Sequence, residues 1–309
     1  MDGISNNFSE PGVWVHGFRP KGYLLVTGED ALTFLQGQFT QELRSSAARS
    51  VAYGLWLNQK GKVIADSFVL REATDHVWIM SVACGAAALR ERLEAYIIAD
   101  DVVIGDETEA WQAWAVGGPE AGAWLASAAG GVPADGEFIC AGGGFVFGER
   151  RGAGAGAFFW MLPVGVALPG GAFELTEAEL ERRRIAAGIA LVPQDIGIGD
   201  LPNESALAEV AVSYTKGCYL GQEVMARLKA MGTVRRKLVR VRGVGHGVPA
   251  VPCALLQGEK RVGELRSAVA DGAGGFVGLA MVTKLGLDPG ALLAPEPGGV
   301  GIVELVDIP

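Results

Sequence analysis

Between Tyr23 and Ile104 the apolar periodicity changes step repeatedly, and this restricts the fold more than any other feature. Tyr23 to Thr27 alternates around aliphatic residues, as a strand does. Gly28-Glu29-Asp30 turns the chain into a short helix that runs through Leu35. Val51 to Leu57 and Lys62 to Leu70 read as strands joined at Asn58-Gln59-Lys60-Gly61, where Gly61 supplies the positive φ of a tight hairpin. Val77 to Val82 is a further strand. Leu89, Leu93, Tyr96 and Ile97 then fall on one face of a helix, and Val102 to Ile104 closes the set. The order β-α-β-β-β-α-β predicts an α+β unit close to a ferredoxin-like pattern with an extra hairpin.

A second α+β stretch follows from Trp111 to Gly188. Strands are expected near Trp111 to Val116, Phe138 to Phe147 and Phe158 to Leu162. Thr176-Glu177-Ala178-Glu179 is a capping box, and Gly188 is the stop of the helix it starts. Leu191 to Ser205, with Pro193 and Pro202, is expected to be an irregular loop. From Arg235 onward short β-rich runs alternate with Gly/Pro turns, which predicts a small terminal β-barrel with its boundary near Gly232.

Composition removes several classes. With 309 residues, half of them apolar, the chain can bury a sizeable core. Gly152 to Phe173 is 22 residues without a charge, but two prolines and six glycines argue for a strand and a loop rather than a membrane helix. Met1 to Trp14 has no basic residue and no apolar core, so neither a secretory nor a transit signal is expected. Cys84, Cys140, Cys218 and Cys253 are isolated, and His16, His76 and His246 supply no zinc pattern; a reducing, cytoplasmic setting is expected.

The densest chemical signal is Lys216-Gly217-Cys218-Tyr219-Leu220-Gly221-Gln222-Glu223. Val224, Leu228 and Met231 continue it at helical spacing, so a helix starts near Gly221 or Gln222. Cys218 then precedes a helix N-terminus and lies two residues from Lys216, and both features favour thiolate. The alternative is a small residue in a tight loop. Lys216 to Arg242 carries +7, leaving the rest of the chain at −16 of the total −9. That asymmetry suits a polyglutamate tail, a phosphate or RNA, or else a solvated charged face. Asp66 shares a strand face with Ile64, Phe68 and Leu70; a carboxylate there needs a polar ligand edge or a structural partner. Phe34 to Thr40 is a helix end or a ligand shelf, and Glu204 in Leu201-Pro202-Asn203-Glu204 shows no local partner.

Lys216 to Glu223 resembles the K-G-C-Y-x-G-Q-E signature of the YgfZ-type folate-binding proteins, relatives of the glycine-cleavage T protein (aminomethyltransferase). Phe34 to Thr40, Asn58 to Asp66, Arg184 to Gly188, Asp195, Leu201 to Glu204 and Ala226-Arg227 follow in the family's order, and Ser213 to Leu238 is similar to the branch that holds the mitochondrial iron–sulfur assembly factor. The resemblance implies two interlocked ferredoxin-like subdomains around a central folate cavity (about 1–48 with 111–232, and 49–110), followed by a β-barrel over 233–309. It implies tetrahydrofolate as cofactor and support of iron–sulfur enzymes, including tRNA-modifying ones, with Cys218 as the functional thiol. On this reading Lys216 lowers the thiol's pKa, Asp66, Tyr219, Gln222, Glu223 and Arg227 serve the folate site, and Cys218 exchanges or transiently ligates sulfur or iron. The partners implied are folate, iron–sulfur enzymes or assembly proteins, and tRNA at the basic junction. The sequence departs from the T protein at Ala65-Asp66, where the relative has a pair of acids, and at Ala186, where it has a folate-contacting Glu. It also lacks tryptophans near Lys21 and Leu180. The substituted acid pair and the added Cys218 favour an accessory protein over the alternative, a tetrahydrofolate-dependent aminomethyltransferase, while the missing tryptophans are a departure from some YgfZ-type members.

Overall fold

A computed structural model describes residues 11–44, 47, 49–149, 156–232, 234–243, 245 and 247–307. The leader reading over Met1 to Glu10, the start of the uncharged stretch at Gly152 to Ala155, and His246 lie outside the described residues. The chain forms two compact units. One comprises Ser9–Leu175 with Val210–Ala226, and the other Thr176–Glu209 with Arg227–Pro309. The expected boundary at Gly232 therefore does not match: the capped helix and the loop after it belong with the C-terminal strands.

The first unit holds two sheets. In one, β3 (Ser50–Leu57), β4 (Val63–Arg71), β5 (His76–Ser81), β2 (Gly22–Thr27) and β6 (Val103–Asp106) lie in that order, with every neighbour antiparallel. Helices α1 (Ala31–Gln38) and α2 (Ala86–Glu94) complete the predicted β-α-β-β-β-α-β run. Because β2 pairs with β5 and β6, residues 22–27 share a sheet with β3 to β6 rather than with the stretch from 111 onward, which is where the resemblance places them. Helix α2 stops at Glu94, so Tyr96 and Ile97 lie in the turn after it. The other sheet is ordered β11 (Phe173–Glu174), β1 (Trp14–Phe18), β7 (Trp111–Gly117), β10 (Phe158–Pro163), β9 (Gly144–Gly148), β8 (Phe138–Ala141), with α3 (Ala121–Ala128) beside it. The single strand expected over Phe138 to Phe147 is a hairpin, because Gly142 and Gly143 both take positive φ and fold it back. Phe68 of β4 packs between the sheets, its ring 5.3 Å from Phe147 and 5.4 Å from Phe159. Burying such a ring contributes roughly 1.5–3 kcal/mol. No helix among the described residues is long and apolar enough to cross a membrane.

In the second unit, α4 (Glu177–Ala186) has the expected capping box, and Gly188 follows at φ +69°. Leu191 to Ser205 is irregular apart from a short 3-10 turn at Pro202–Glu204. The C-terminal strands form one antiparallel sheet, ordered β13 (Cys253–Gln257), β14 (Lys260–Ala270), β15 (Phe276–Thr283), β12 (Arg236–Gly243), β16 (Val303–Leu305). The sheet curls as a half-barrel around Val241, Leu255, Leu265 and Phe276, and single bridges at Ala294 and Leu293 reach Leu256 and Val303 on its two edge strands.

Candidate functional site

The cysteine loop is built on the C-terminal end of α1. A helix leaves its last carbonyls without partners, and here a side chain from far along the chain supplies them. The Lys216 ammonium, itself buried, donates to Gln36 O and Phe39 O at 2.7 Å each and to Gln41 O at 3.1 Å. Leu220 N–H donates to Gly37 O at 3.1 Å. Gly221 at φ +87° lies so near the hairpin that a Cβ there would stand 2.8 Å from Asn58 O. Thr40 ties the same corner, donating to Ala211 O at 2.6 Å and accepting from Leu55 N–H at 2.7 Å. Phe34 to Thr40 is thus a helix end that seats the loop. Helix α6 (Gln222–Met231) starts where the sequence placed it.

This geometry corrects the role given to Lys216. Its three hydrogens are committed to backbone carbonyls of α1 and the turn after it, so it anchors the loop and does not serve as the counter-ion of Cys218. Burial pushes its ammonium down to about 8, against the opposing pull of Glu42. Tyr219 is buried with its ring centre 5.3 Å from the Lys216 nitrogen, and burial pushes its phenol up to about 12. Gln222 donates to Lys216 O at 3.4 Å, while Glu223 and Arg227 are exposed on α6. Cys218 is exposed and unbridged, as is Cys140.

Asp66 takes the structural alternative. It is buried, accepting from the Tyr53 hydroxyl at 2.8 Å and from the Cys84 thiol at 3.6 Å. Its backbone oxygen accepts from Ser67 and Ser81 hydroxyls. Burial, reinforced by the Asp66 charge, pushes the Cys84 thiol up to about 12. Tyr53 faces two ways: besides meeting Asp66, it lines a cavity of about 350 Å³ with Gln41, Leu43, Ser50, Val69 and Arg71. Asp66, Tyr219, Gln222, Glu223, Arg227 and Cys218 are not among the residues lining this cavity. Sequence reasoning missed Tyr53. The available signal was its place opposite Phe68 on the paired strand, two register positions from the Leu55–Asp66 pair and so on the same face.

The second unit accounts for much of the basic run and for Glu204. Arg236 makes two 2.9 Å bonds to Glu204 and one of 3.0 Å to Asp200. Arg240 pairs with Asp307, and Arg242 with Glu304. Arg184 meets the fully buried Asp195 at 2.7 Å, and Ser267 joins both. Three of the eight basic residues from Lys216 to Arg242 thus have acid partners within the fold, and Lys216 is spent on backbone carbonyls. Ala186 presents a backbone oxygen to Arg240, not a carboxylate to a ligand.

Residues 18–138 match the GCVT N-terminal domain. The chain is 27% identical over 351 residues to the mitochondrial iron–sulfur cluster assembly factor IBA57 homolog of Chaetomium globosum, with 96% of this chain and 78% of that protein covered. It is 30% identical over 281 residues to the mitochondrial iron–sulfur cluster assembly factor IBA57 of Homo sapiens, with 84% and 74% covered. Among solved structures, the glycine cleavage system aminomethyltransferase T from Bartonella henselae superposes with a TM-score of 0.80 at 19% identity, covering 97% of this chain and 87% of that one. The likeness establishes a shared mixed α/β fold.

Proposed function

Because the chain belongs to the family of the iron–sulfur cluster assembly factor IBA57, we propose that it serves iron–sulfur cluster assembly through the exposed thiol of Cys218. One observation carries this reading. The loop holding Cys218 is fastened at Lys216, Leu220 and Gly221, yet the sulfur itself is left open to solvent. Exposure is shared by Cys140, and what sets Cys218 apart is that its loop is fastened on both sides of the open thiol, whereas Cys84 is sealed. Restrained ends place the sulfur reproducibly, and exposure lets the thiol give up its proton and transiently ligate iron of a cluster delivered by a partner. Iron–sulfur assembly proteins and client enzymes, tRNA-modifying ones included, are the partners this implies, in a reducing, cytoplasm-like compartment.

Tetrahydrofolate belongs to the proposal through the cavity beside Tyr53. Apolar walls from Leu43, Val51 and Val69 suit a flat heterocycle, and Gln41, Ser50, Tyr53 and Arg71 offer polar groups at its edges. Tyr53 would contact the ligand while Asp66 fixes the phenol's orientation. When bound, the folate supplies a reduced pterin able to carry one-carbon units. The finer kinship with the YgfZ-type proteins, and their ring of interlocked subdomains around folate, rests on the signature at Lys216 to Glu223. The aminomethyltransferase reading is weaker, since Ala186 brings no acid.

Expression in cells depleted of their own member of the family tests the assignment. Restored iron–sulfur enzyme activity is expected. Its absence at normal protein abundance refutes the reading.

A further inference from the structure

A guanidinium stays charged at any pH a protein meets, and a buried one needs a counter-charge. The buried Arg184 has Asp195 and Glu181. Arg92 on α2 is different. It is only 9% exposed, yet both acceptors it finds are neutral: Nη1 donates to Gln38 Oε1 at 3.0 Å, and Nη2 to Leu57 O at 3.1 Å. The Tyr96 ring lies 4.4 Å from the guanidinium carbon, and the buried Nε–H has no acceptor among the described residues. Glu94, the acid two residues on, is held by Arg90 at 2.6 Å, and Glu91 is exposed. No carboxylate among the described residues balances Arg92.

The surroundings suit an anion. The Gln38 amide that Nη1 meets is only half-buried and can donate alongside the guanidinium. The hairpin that accepts from Nη2 carries Lys60 and Lys62. The same two supports, Gly37-Gln38 and Leu57-Asn58, lie under Leu220 and Gly221 of the cysteine loop. We infer that Arg92 is the centre of an oxyanion-binding site, with Gln38 as its second donor, taking a carboxylate or phosphate of a ligand between the end of α1 and the hairpin. Planar, two-toothed recognition of either group is what a fixed guanidinium does best. The inference does not depend on Cys218 being functional.

The test uses the full chain with inorganic phosphate and with glutarate, against chloride at matched ionic strength. The Arg92 Nε–H resonance, identified by its loss in Arg92→Lys, is expected to shift saturably with at least one probe. The same probe should raise thermal stability of the wild type, and at least tenfold more of it should be needed in Arg92→Met. A response to phosphate alone identifies a phosphate ligand, to glutarate alone a carboxylate, and to both a general oxyanion site. A resonance unmoved by either probe overturns the inference, as does equal stabilisation of Arg92→Met. Should that variant fail to fold, the wild-type resonance decides.

Discussion

Replacing Lys216 by Met removes the anchor of the cysteine loop, and its cost follows from the geometry. Three bonds from a charged donor are lost, at roughly 2 kcal/mol net each, or about 6 kcal/mol together. Against this stands the release of a buried ammonium. Its fall from 10.5 to about 8 corresponds to roughly 3 kcal/mol of desolvation that Met does not incur. The expected loss is therefore about 3 kcal/mol. All seven tryptophans, Trp14 through Trp160, lie in the unit that contains Lys216, so urea unfolding followed by tryptophan fluorescence reports on the right unit. The pH dependence supplies a second reading with a definite sign. The native state binds fewer protons than the unfolded chain between about pH 8 and 10.5, so the wild type gains stability with rising pH in that window and Lys216→Met does not. A variant within about 0.5 kcal/mol of wild type, with an unchanged pH profile, refutes the anchoring argument.

Other consequences are equally direct. Iodoacetamide at pH 8.5 should label Cys218 and Cys140 in the folded protein and spare Cys84, whose buried thiol is pushed up to about 12; mass spectrometry showing Cys84 modified as fast as Cys218 contradicts this. Gly221→Ala forces a Cβ to within 2.8 Å of Asn58 O at φ +87°, and should cost about 1–3 kcal/mol in the same urea titration. Unchanged stability would mean that the hairpin and loop are not in close contact. Tyr53→Phe removes the donor to Asp66 from a residue that lines the cavity. Calorimetry should show tetrahydrofolate binding weakened about five- to thirtyfold, equivalent to the roughly 1–2 kcal/mol of one hydrogen bond; equal affinity removes Tyr53 from the site.

What the sequence disclosed and what it hid divide along physical lines. Local periodicity announced β2 through β6, and the start of α6, because each depends on neighbours a few residues away. The pair of glycines at Gly142 and Gly143 concealed a hairpin inside one apolar run. Helix α3 escaped because Ala-Gly-Ala-Trp-Leu-Ala-Ser-Ala sets only Trp124 and the buried Leu125 among small residues, too few large apolar positions to read as a stripe. The site suffered most where partners are distant in sequence. Lys216 lies two residues from Cys218 but spends its charge on carbonyls about 180 positions earlier. Glu204 finds Arg236 across 32 positions, and Arg92 reaches back to Gln38 and Leu57. Spacing along a chain shows which residue types are present, while the choice of partner is made by the sheets that bring them together.

The most direct test of the central claim compares wild type with Cys218→Ala in cells lacking their own relative, at equal protein abundance, by iron–sulfur enzyme activity. Since Cys218 is exposed, the substitution leaves the fold intact, and activity is predicted to stay at the depleted level. Full restoration by Cys218→Ala would show that the sulfur has no part in the function.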